Sequence, residues 1–523
     1  MTVLTALARA LAAERGRAVS VRTVRHAHIS DRPLVFIPLR LAGEANAPLA
    51  ALVGDDPDAP RLLVVHEPRD RDQRFGWAAD LADVVLTYIE GYAGPEPPEG
   101  EPLPGAPQIL VPNPGGIRFC GLLGRSTRFR RTEGDNAVAA PVPVLGRWLT
   151  FYAERSMAPA SSLLLSVTDV LADHWATGQS AAEDGNLAAL LAWIDPPPPM
   201  TGAQAALLAE DPVRYPPAGP MTDPGFDNIV LRDRIAAVRE ARVGEDAPAL
   251  DRARLAIEQA LETQLAPTWA LMWRAIGRLR ELPEAAHVAS RWERDRWSFT
   301  AYVQWLREDG APQPRRDGPV SAARRLARLE ARSAQLAAQR AYDDPLVMAE
   351  YRLTGEAFAG TVVDAQSDRV DGTGKRKVLR PRITVATGDE VLVPEGTDLT
   401  SPARPRQTGK VVSVCPGGTM PISPGGTIPP GEGQAPSATL VTLELKGGMG
   451  RGLVAPPGSI PEIGDAVTYT TLKDDFRRPP VFPEEERTPW THGGPPAPQQ
   501  PAPQPPSAAA AGPEPDIAWE DWS

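Results

Sequence analysis

Cysteine is almost absent: Cys120 and Cys415 are the only two in 523 residues. That excludes a disulfide framework and, with histidines scattered at His26, His28, His66, His174, His287 and His492, any closely spaced zinc pattern. Lysine is nearly as scarce, at Lys375, Lys377, Lys410, Lys446 and Lys473, although lysine and arginine together number 55. No apolar run approaches the ~20 residues needed to cross a bilayer. The N-terminus lacks the basic leader and apolar core of a secretory signal, so a cytoplasmic location is expected; Val3, Leu4, Leu7 and Leu11 instead share one helical face. Short catalytic signatures are missing too. Gly374-Lys375-Arg376 and Gly409-Lys410-Val411 have neither the spacing nor the hydroxyl of a P-loop, and no Gly-x-Ser-x-Gly elbow occurs. No cofactor or metal is expected, and the chain leans away from an enzyme.

What the sequence does contain is charge, unevenly placed. The net charge is −11. From Pro479 onward seven acids (Glu484, Glu485, Glu486, Glu514, Asp516, Glu520, Asp521) face Arg487 alone, which leaves a nearly neutral body. Between Arg315 and Tyr342 the sign reverses: seven arginines (Arg315, Arg316, Arg324, Arg325, Arg328, Arg332, Arg340) stand against Asp317 and Glu330. Ala322, Leu326, Leu329, Ser333 and Leu336 recur at alternating four- and three-residue steps, the pattern of a helix with a narrow apolar face. Asp343-Asp344-Pro345 predicts a break, with an acidic cap and a proline opening a second short helix.

These features divide the chain into an α/β unit over 1–145 with a mostly parallel sheet, a helical bundle over 146–315, and a basic connecting helix over 316–354. A small SH3- or OB-like β-barrel over 355–475 and a disordered, Pro-rich acidic tail over 476–523 follow. In the first unit Leu34–Leu39, Arg61–Val65 and Gln108–Val111 are the expected strands, with a helix through Phe75, Ala78, Ala82, Val85 and Ile89. In the second, eight of the twelve tryptophans fall between Trp148 and Trp305, where helical spacing makes them core residues. The barrel is predicted from six β-branched runs, at 360–365, 383–387, 390–393, 410–414, 439–445 and 466–471. Pro416-Gly-Gly-Thr-Met-Pro and Pro424-Gly-Gly-Thr-Ile-Pro repeat inside it, in a stretch expected to be a long disordered loop.

Three groups of residues carry functional expectations. On the barrel, Lys375, Arg376, Lys377, Arg380 and Arg382 cluster after the turn pair Asp371-Gly372, which predicts a basic β-ribbon. With Lys410, Lys446 and Arg451 they form the expected nucleic-acid contact. Glu444-Leu-Lys446 also matches the Glu-x-Lys half of a metal-dependent nuclease core, with Asp389 or Asp398 as its partner acid. At the tip of the tail, Ile517, Trp519 and Trp522 among four acids have the makings of a docking peptide. In layout this tip resembles the tails of bacterial single-stranded-DNA-binding proteins, departing from them at Ser523, where those end on an aromatic. The third group is a possible ligand rim beyond the strand ends of the first unit: Arg69, Asp70, Asp72, Asn113 and Arg118. Arg125, Arg128, Arg130 and Arg131, interleaved with Phe129, read either as a grip on a nucleic-acid strand or as a solvated loop.

The expectation is a non-catalytic accessory or adaptor protein whose barrel touches nucleic acid and whose tail recruits a protein partner, such as a separate helicase or ATPase. A barrel borne on helices resembles the accessory domains of superfamily-1 helicases in layout, which implies a motor on another polypeptide. The alternatives are a protein-only scaffold or regulator, and a hydrolase or nuclease using the rim.

Overall fold

The computed structural model describes residues 2–44, 47–216, 219–372, 377–419, 437–474 and 480–484. Helix α1 (Val3–Arg15) opens the chain, and it buries Ala8 and Ala12 rather than the predicted leucine face: Leu7 is 54% exposed. A five-stranded sheet follows, built from β1 (Leu34–Arg40), β2 (Pro48–Gly54), β3 (Arg61–Val64), β4 (Ile109–Val111) and β5 (Leu164–Ser166), in the order β3-β2-β1-β4-β5. Pairings β1–β2 and β2–β3 are antiparallel, while β1–β4 and β4–β5 are parallel. The sheet is therefore mixed, not mostly parallel. Strand β2 reads Pro-Leu-Ala-Ala-Leu-Val-Gly, and its alanines carry no β-branched signal.

Both faces of the sheet are covered, so β1 and β2 are buried along six consecutive residues each. Alternate side chains point to opposite faces. Leu34, Phe36, Ala51, Val53, Ile109 and Val111 pack with Trp77, Leu81 and Val85 of α2 (Arg71–Glu90) and with Phe119 and Leu123 of α3 (Pro114–Thr127). The same core takes in Leu145, Leu149 and Tyr152 of α4 (Pro141–Ser156). On the other face Val35, Ile37, Leu39, Leu52 and Leu110 meet Leu171 of α5 (Val167–His174), Leu190 of α6 (Leu187–Ile194), and Ile257, Leu261, Met272 and Ile276 of α7 (Ala247–Arg280). Helix α8 (Val288–Arg307) returns to the first face through Phe299 and Val303. The central helices thus divide over the two faces of the sheet instead of packing as a bundle of their own. Trp148, Trp193 and Trp269 are core residues, whereas Trp297 and Trp305 are exposed.

Helices α3 and α4 touch backbone to backbone. A Cβ on Gly146 would lie 2.3 Å from the Arg128 nitrogen, and one on Gly124 would lie 2.7 Å from the Thr150 nitrogen. Arg128 is buried by this approach, donating from Nε to the Gln313 carbonyl (3.0 Å) and from its guanidinium to the Pro314 carbonyl (3.1 Å). Arg130 donates to the Ser126 carbonyl and lies over the Phe75 ring. Arg128 and Arg130 thus have structural partners.

The basic helix α9 (Pro319–Asp343) ends where the acidic pair predicts, and Asp344 caps α10 (Pro345–Leu353) by accepting from the Leu346 nitrogen at 2.9 Å. The fully buried Asp344 carboxylate also accepts from the Thr23 nitrogen (2.8 Å) and hydroxyl (3.0 Å), which ties the break to the N-terminal segment. Helix α9 docks through Val320, Ala338, Gln339 and Ala341, while Leu326, on the predicted apolar face, is 58% exposed. Gln339 accepts from Arg291 and donates to Asp474, the point at which the chain leaves the barrel.

The barrel closes from β6 (Ala357–Gln366), β9 (Arg382–Thr387), β10 (Asp398–Ser401), β11 (Arg404–Thr419), β12 (Ser437–Lys446) and β13 (Ala466–Thr470), in the order β9-β12-β11-β10-β13-β6. A two-stranded ribbon, β7 (Val370–Asp371) and β8 (Val378–Leu379), lies between β6 and β9. Five of the six expected runs are strands. Residues 390–393 are not: they form a loop before Pro394 in which Leu392 is 64% exposed, and the sixth strand is Asp398–Ser401. Residues 416–419 of the first Pro/Gly repeat do not lie in a loop, because Gly418 and Thr419 pair with Ala438 and Ser437 at the end of β11; Met420, Pro421 and all of the second repeat lie outside the described residues.

Candidate nucleic-acid interface

Along β12, Val441, Leu443 and Leu445 enter the barrel core, so Thr442, Glu444 and Lys446 alternate outward. Register then assembles the outer face from distant parts of the chain. Glu444 stands opposite Arg382 on one side and Lys410 on the other, with Gln366 beyond Arg382 and Asp398 beyond Lys410. Arg369 donates to a Glu444 carboxylate oxygen at 2.8 Å, and Arg382 lies 3.7 Å from the same oxygen. One acid is thereby shared by two arginines, with Lys410 opposite it in register on the neighbouring strand. Lys446 lies one outward step further along β12, opposite Thr408.

The ribbon joins this face through its base. Val378 pairs with Asp371 and Leu379 with Val370, and Leu379 plugs into the barrel core. The Arg380 backbone nitrogen donates to the Arg369 carbonyl at 2.8 Å, so this arginine is held at the ribbon's foot. Lys377 is exposed, while Lys375 and Arg376 lie outside the described residues. Arg451 is exposed in the loop after β12, where Gly447, Gly448 and Gly450 all hold positive φ and Met449 anchors the turn in the core. The described part of the face carries Arg369, Lys377, Arg380, Arg382, Lys410 and Lys446 against Glu444, Asp371 and Asp398. Lys377, Lys410 and Lys446 form no salt bridge among the described residues. Arg369 was not among the expected contacts; its only signal in the sequence was its place beside the Asp371-Gly372 turn.

For the nuclease pattern, Glu444 is engaged by arginines, and Asp389 pairs with Arg352 at 2.7 Å while accepting from the Ala359 nitrogen. Among the described residues no group of three or more His, Cys, Asp or Glu is arranged to hold a metal ion.

The rim residues do share one edge of the sheet, because β3 and β4 run in the same direction. Three strand spacings, or ~14 Å, separate their ends. Asp70 caps α2, accepting from the Asp72 and Gln73 nitrogens at 2.9 and 3.1 Å. The Gln73 bond above all holds its carboxyl below the usual range. Arg69 pairs with Glu44 and Asp72 with Arg71, both at 2.9 Å. Asn113 caps α3 through the Gly115 nitrogen and donates to the Gly219 carbonyl. Arg118 is exposed on α3, close enough to Arg40 to lower its pKa further after burial has done so.

Ile517, Trp519 and Trp522 lie outside the described residues. No protein-family model, curated protein or solved structure matches the chain. Among the described residues no helix is long and apolar enough to cross a membrane.

Proposed function

We propose that the protein is a non-catalytic accessory factor that contacts nucleic acid with the outer face of an SH3- or OB-like barrel and recruits a protein partner, such as a helicase or ATPase, through its acidic tail. The observation that carries the reading is the basic row on β9, β12 and β11, where a single Glu444 is shared by Arg369 and Arg382 while Lys410 and Lys446 form no salt bridge among the described residues. Such a surface favours phosphate over a neutral partner. The two tryptophans and the acids of the tip support the recruiting role by composition.

The test is salt-dependent binding to a short oligonucleotide. Replacing Lys410 and Lys446 with glutamine is expected to lower the slope of log K against log salt by ~1 for each phosphate no longer neutralised, without changing sequence preference. Replacing Lys375, Arg376 and Lys377 together should lower it by ~2 to 3. Glu444→Gln frees Arg369 and Arg382 and is expected to tighten binding and steepen the slope. No binding by the parent protein at ~50 mM salt, where phosphate contacts are strongest, would refute the proposal.

A further inference from the structure

Away from the barrel, a second group of arginines converges on a small niche. Helix α8 brings Arg291, Arg294, Asp295 and Ser298, and α9 brings Arg332, while Arg155 on the last turn of α4 lies outside the lining but within electrostatic reach of Arg332 and Asp295. The turn before β5 closes the niche with Ser161, and Ala160 there holds a left-handed φ of 71°, unusual for a residue with a Cβ. The space between them is ≈10 Å³, room for one oxygen-sized group, and it opens to the surface.

The charges are poorly matched. Arg291 is occupied elsewhere, donating to Gln339 and to the His26 carbonyl, and Arg294 donates to Gln335. Asp295 accepts from the Ser162 nitrogen at 2.6 Å, and burial pushes its carboxyl up to about 6. Arg155 and Arg332 form no salt bridge among the described residues, and the carboxylates in electrostatic reach of Arg155 are Glu154 and Asp295. Burial lowers the Arg332 pKa most; Arg155 and Arg294 then lower it further, each by more than Asp295 restores. Half-buried like charges of this kind destabilise a fold until an anion completes them.

We propose that the niche between α8, α9 and the turn before β5 is a phosphoryl-binding site, in which one anionic oxygen enters beside Ser161 and Ser298 while Arg294 and Arg332 hold the remaining oxygens and Arg155 adds its charge from behind them. Two lining guanidinium groups with a third in electrostatic reach, against one carboxylate, suit a multiply charged phosphoryl group better than a carboxylate. The site is independent of the barrel face. The source of the phosphoryl group is either a free ligand, such as pyrophosphate or a nucleoside triphosphate, or a nucleic-acid backbone.

The experiment titrates the full chain, at fixed ionic strength, with pyrophosphate, ATP, a single-stranded oligonucleotide and glutamate. It compares the parent with Arg332→Gln, Arg155→Gln, Arg332→Lys, the exposed control Arg316→Gln, and the barrel pair Lys410→Gln with Lys446→Gln. Arg332→Gln is expected to weaken phosphoryl binding about tenfold, the loss of one charge-assisted hydrogen bond, and Arg155→Gln, which removes only a nearby charge, to weaken it less. Arg332→Lys should fall between parent and glutamine variant, and Arg316→Gln and the barrel pair should match the parent in pyrophosphate affinity. With no anion present, Arg332→Gln should leave the thermal midpoint unchanged or raise it, because it relieves repulsion. Niche-dependent binding of pyrophosphate or ATP identifies a free ligand; niche-dependent binding of the oligonucleotide alone identifies a backbone phosphate. The proposal is overturned if no phosphoryl probe binds through the niche, if glutamate binds as well as pyrophosphate, or if Arg332→Gln lowers the midpoint and leaves every affinity intact. Loss of oligonucleotide binding in the barrel pair, with no probe bound through the niche, would leave the barrel reading standing and remove this one.

Discussion

Two buried histidines make the stability of the fold sensitive to mild acid. His26 and His174 lie where the N-terminal segment, α5 and the end of α9 meet, facing Arg22, Arg291, Arg340, Asp173 and Asp344. Burial, chiefly, pushes both from 6.5 to about 4, the neighbouring arginines acting with it and the carboxylates against it. A histidine depressed in the folded state contributes stability above its unfolded pKa and loses it as the pH falls from 6.5 towards 4. Between about pH 7.5 and about pH 5 each therefore costs the fold about 2 kcal/mol. Asp295 acts in the opposite sense: its carboxyl is raised to about 6, so protonation in the same window favours the folded state by about 1 kcal/mol. The net expectation is a loss on the order of 2 to 3 kcal/mol, to which His28, also lowered by burial, adds in the same direction. Urea unfolding at the two pH values and fixed ionic strength measures it, and the double variant His26→Gln with His174→Gln should flatten the fall. Equal stability at the two pH values, or imidazole resonances of the folded protein titrating at the ordinary histidine pKa, would refute the reasoning.

Gly146→Ala should destabilise the protein by about 1 to 3 kcal/mol in thermal or urea unfolding, because the new methyl group meets the Arg128 backbone, which cannot move aside. Asp70→Ala should cost about 1 kcal/mol by removing the α2 cap, again by urea unfolding; Asp70→Asn, which can still cap, should cost much less, whereas a ligand role would make both variants lose binding. Deleting residues 485–523 is expected to leave the thermal midpoint nearly unchanged while weakening capture of a partner. Trp519→Ala with Trp522→Ala should reproduce the binding loss alone, and a large drop in midpoint on truncation would show that the tail stabilises the body.

Local signals were legible where one chemical requirement dominates. Asp344-Pro345 marks the helix break because a carboxylate can cap and proline tolerates the first helical position. Strand β2 was illegible because Ala50 and Ala51 fit a pleated surface without advertising it. Residues 390–393 carry the stronger β-branched signal, yet Pro394 has no nitrogen donor and the chain turns at Gly396, which holds a positive φ while donating to the Val411 carbonyl, so the strand itself starts only at Asp398. The basic face was legible as a set of residues but not as an arrangement. Placing Glu444 between Arg382 and Lys410 depends on strand register across the barrel, which no local spacing encodes.

Helix α9 shows most clearly what periodicity leaves open. Its leucine spacing identifies an amphipathic helix, but the face it buries is set by what the body offers. Gln335 and Gln339 meet Arg294 and Arg291 of α8, and the small side chains of Ala338 and Ala341 permit the close approach those hydrogen bonds require. Docking on that side leaves Leu326 outside and turns Arg332 inward, towards Arg155 and Arg294. A neutral side chain at 332 would relieve the mismatch without disturbing Gln335 or Gln339. The docking of α9 therefore does not explain why an arginine stands at 332, and an anion in the niche does.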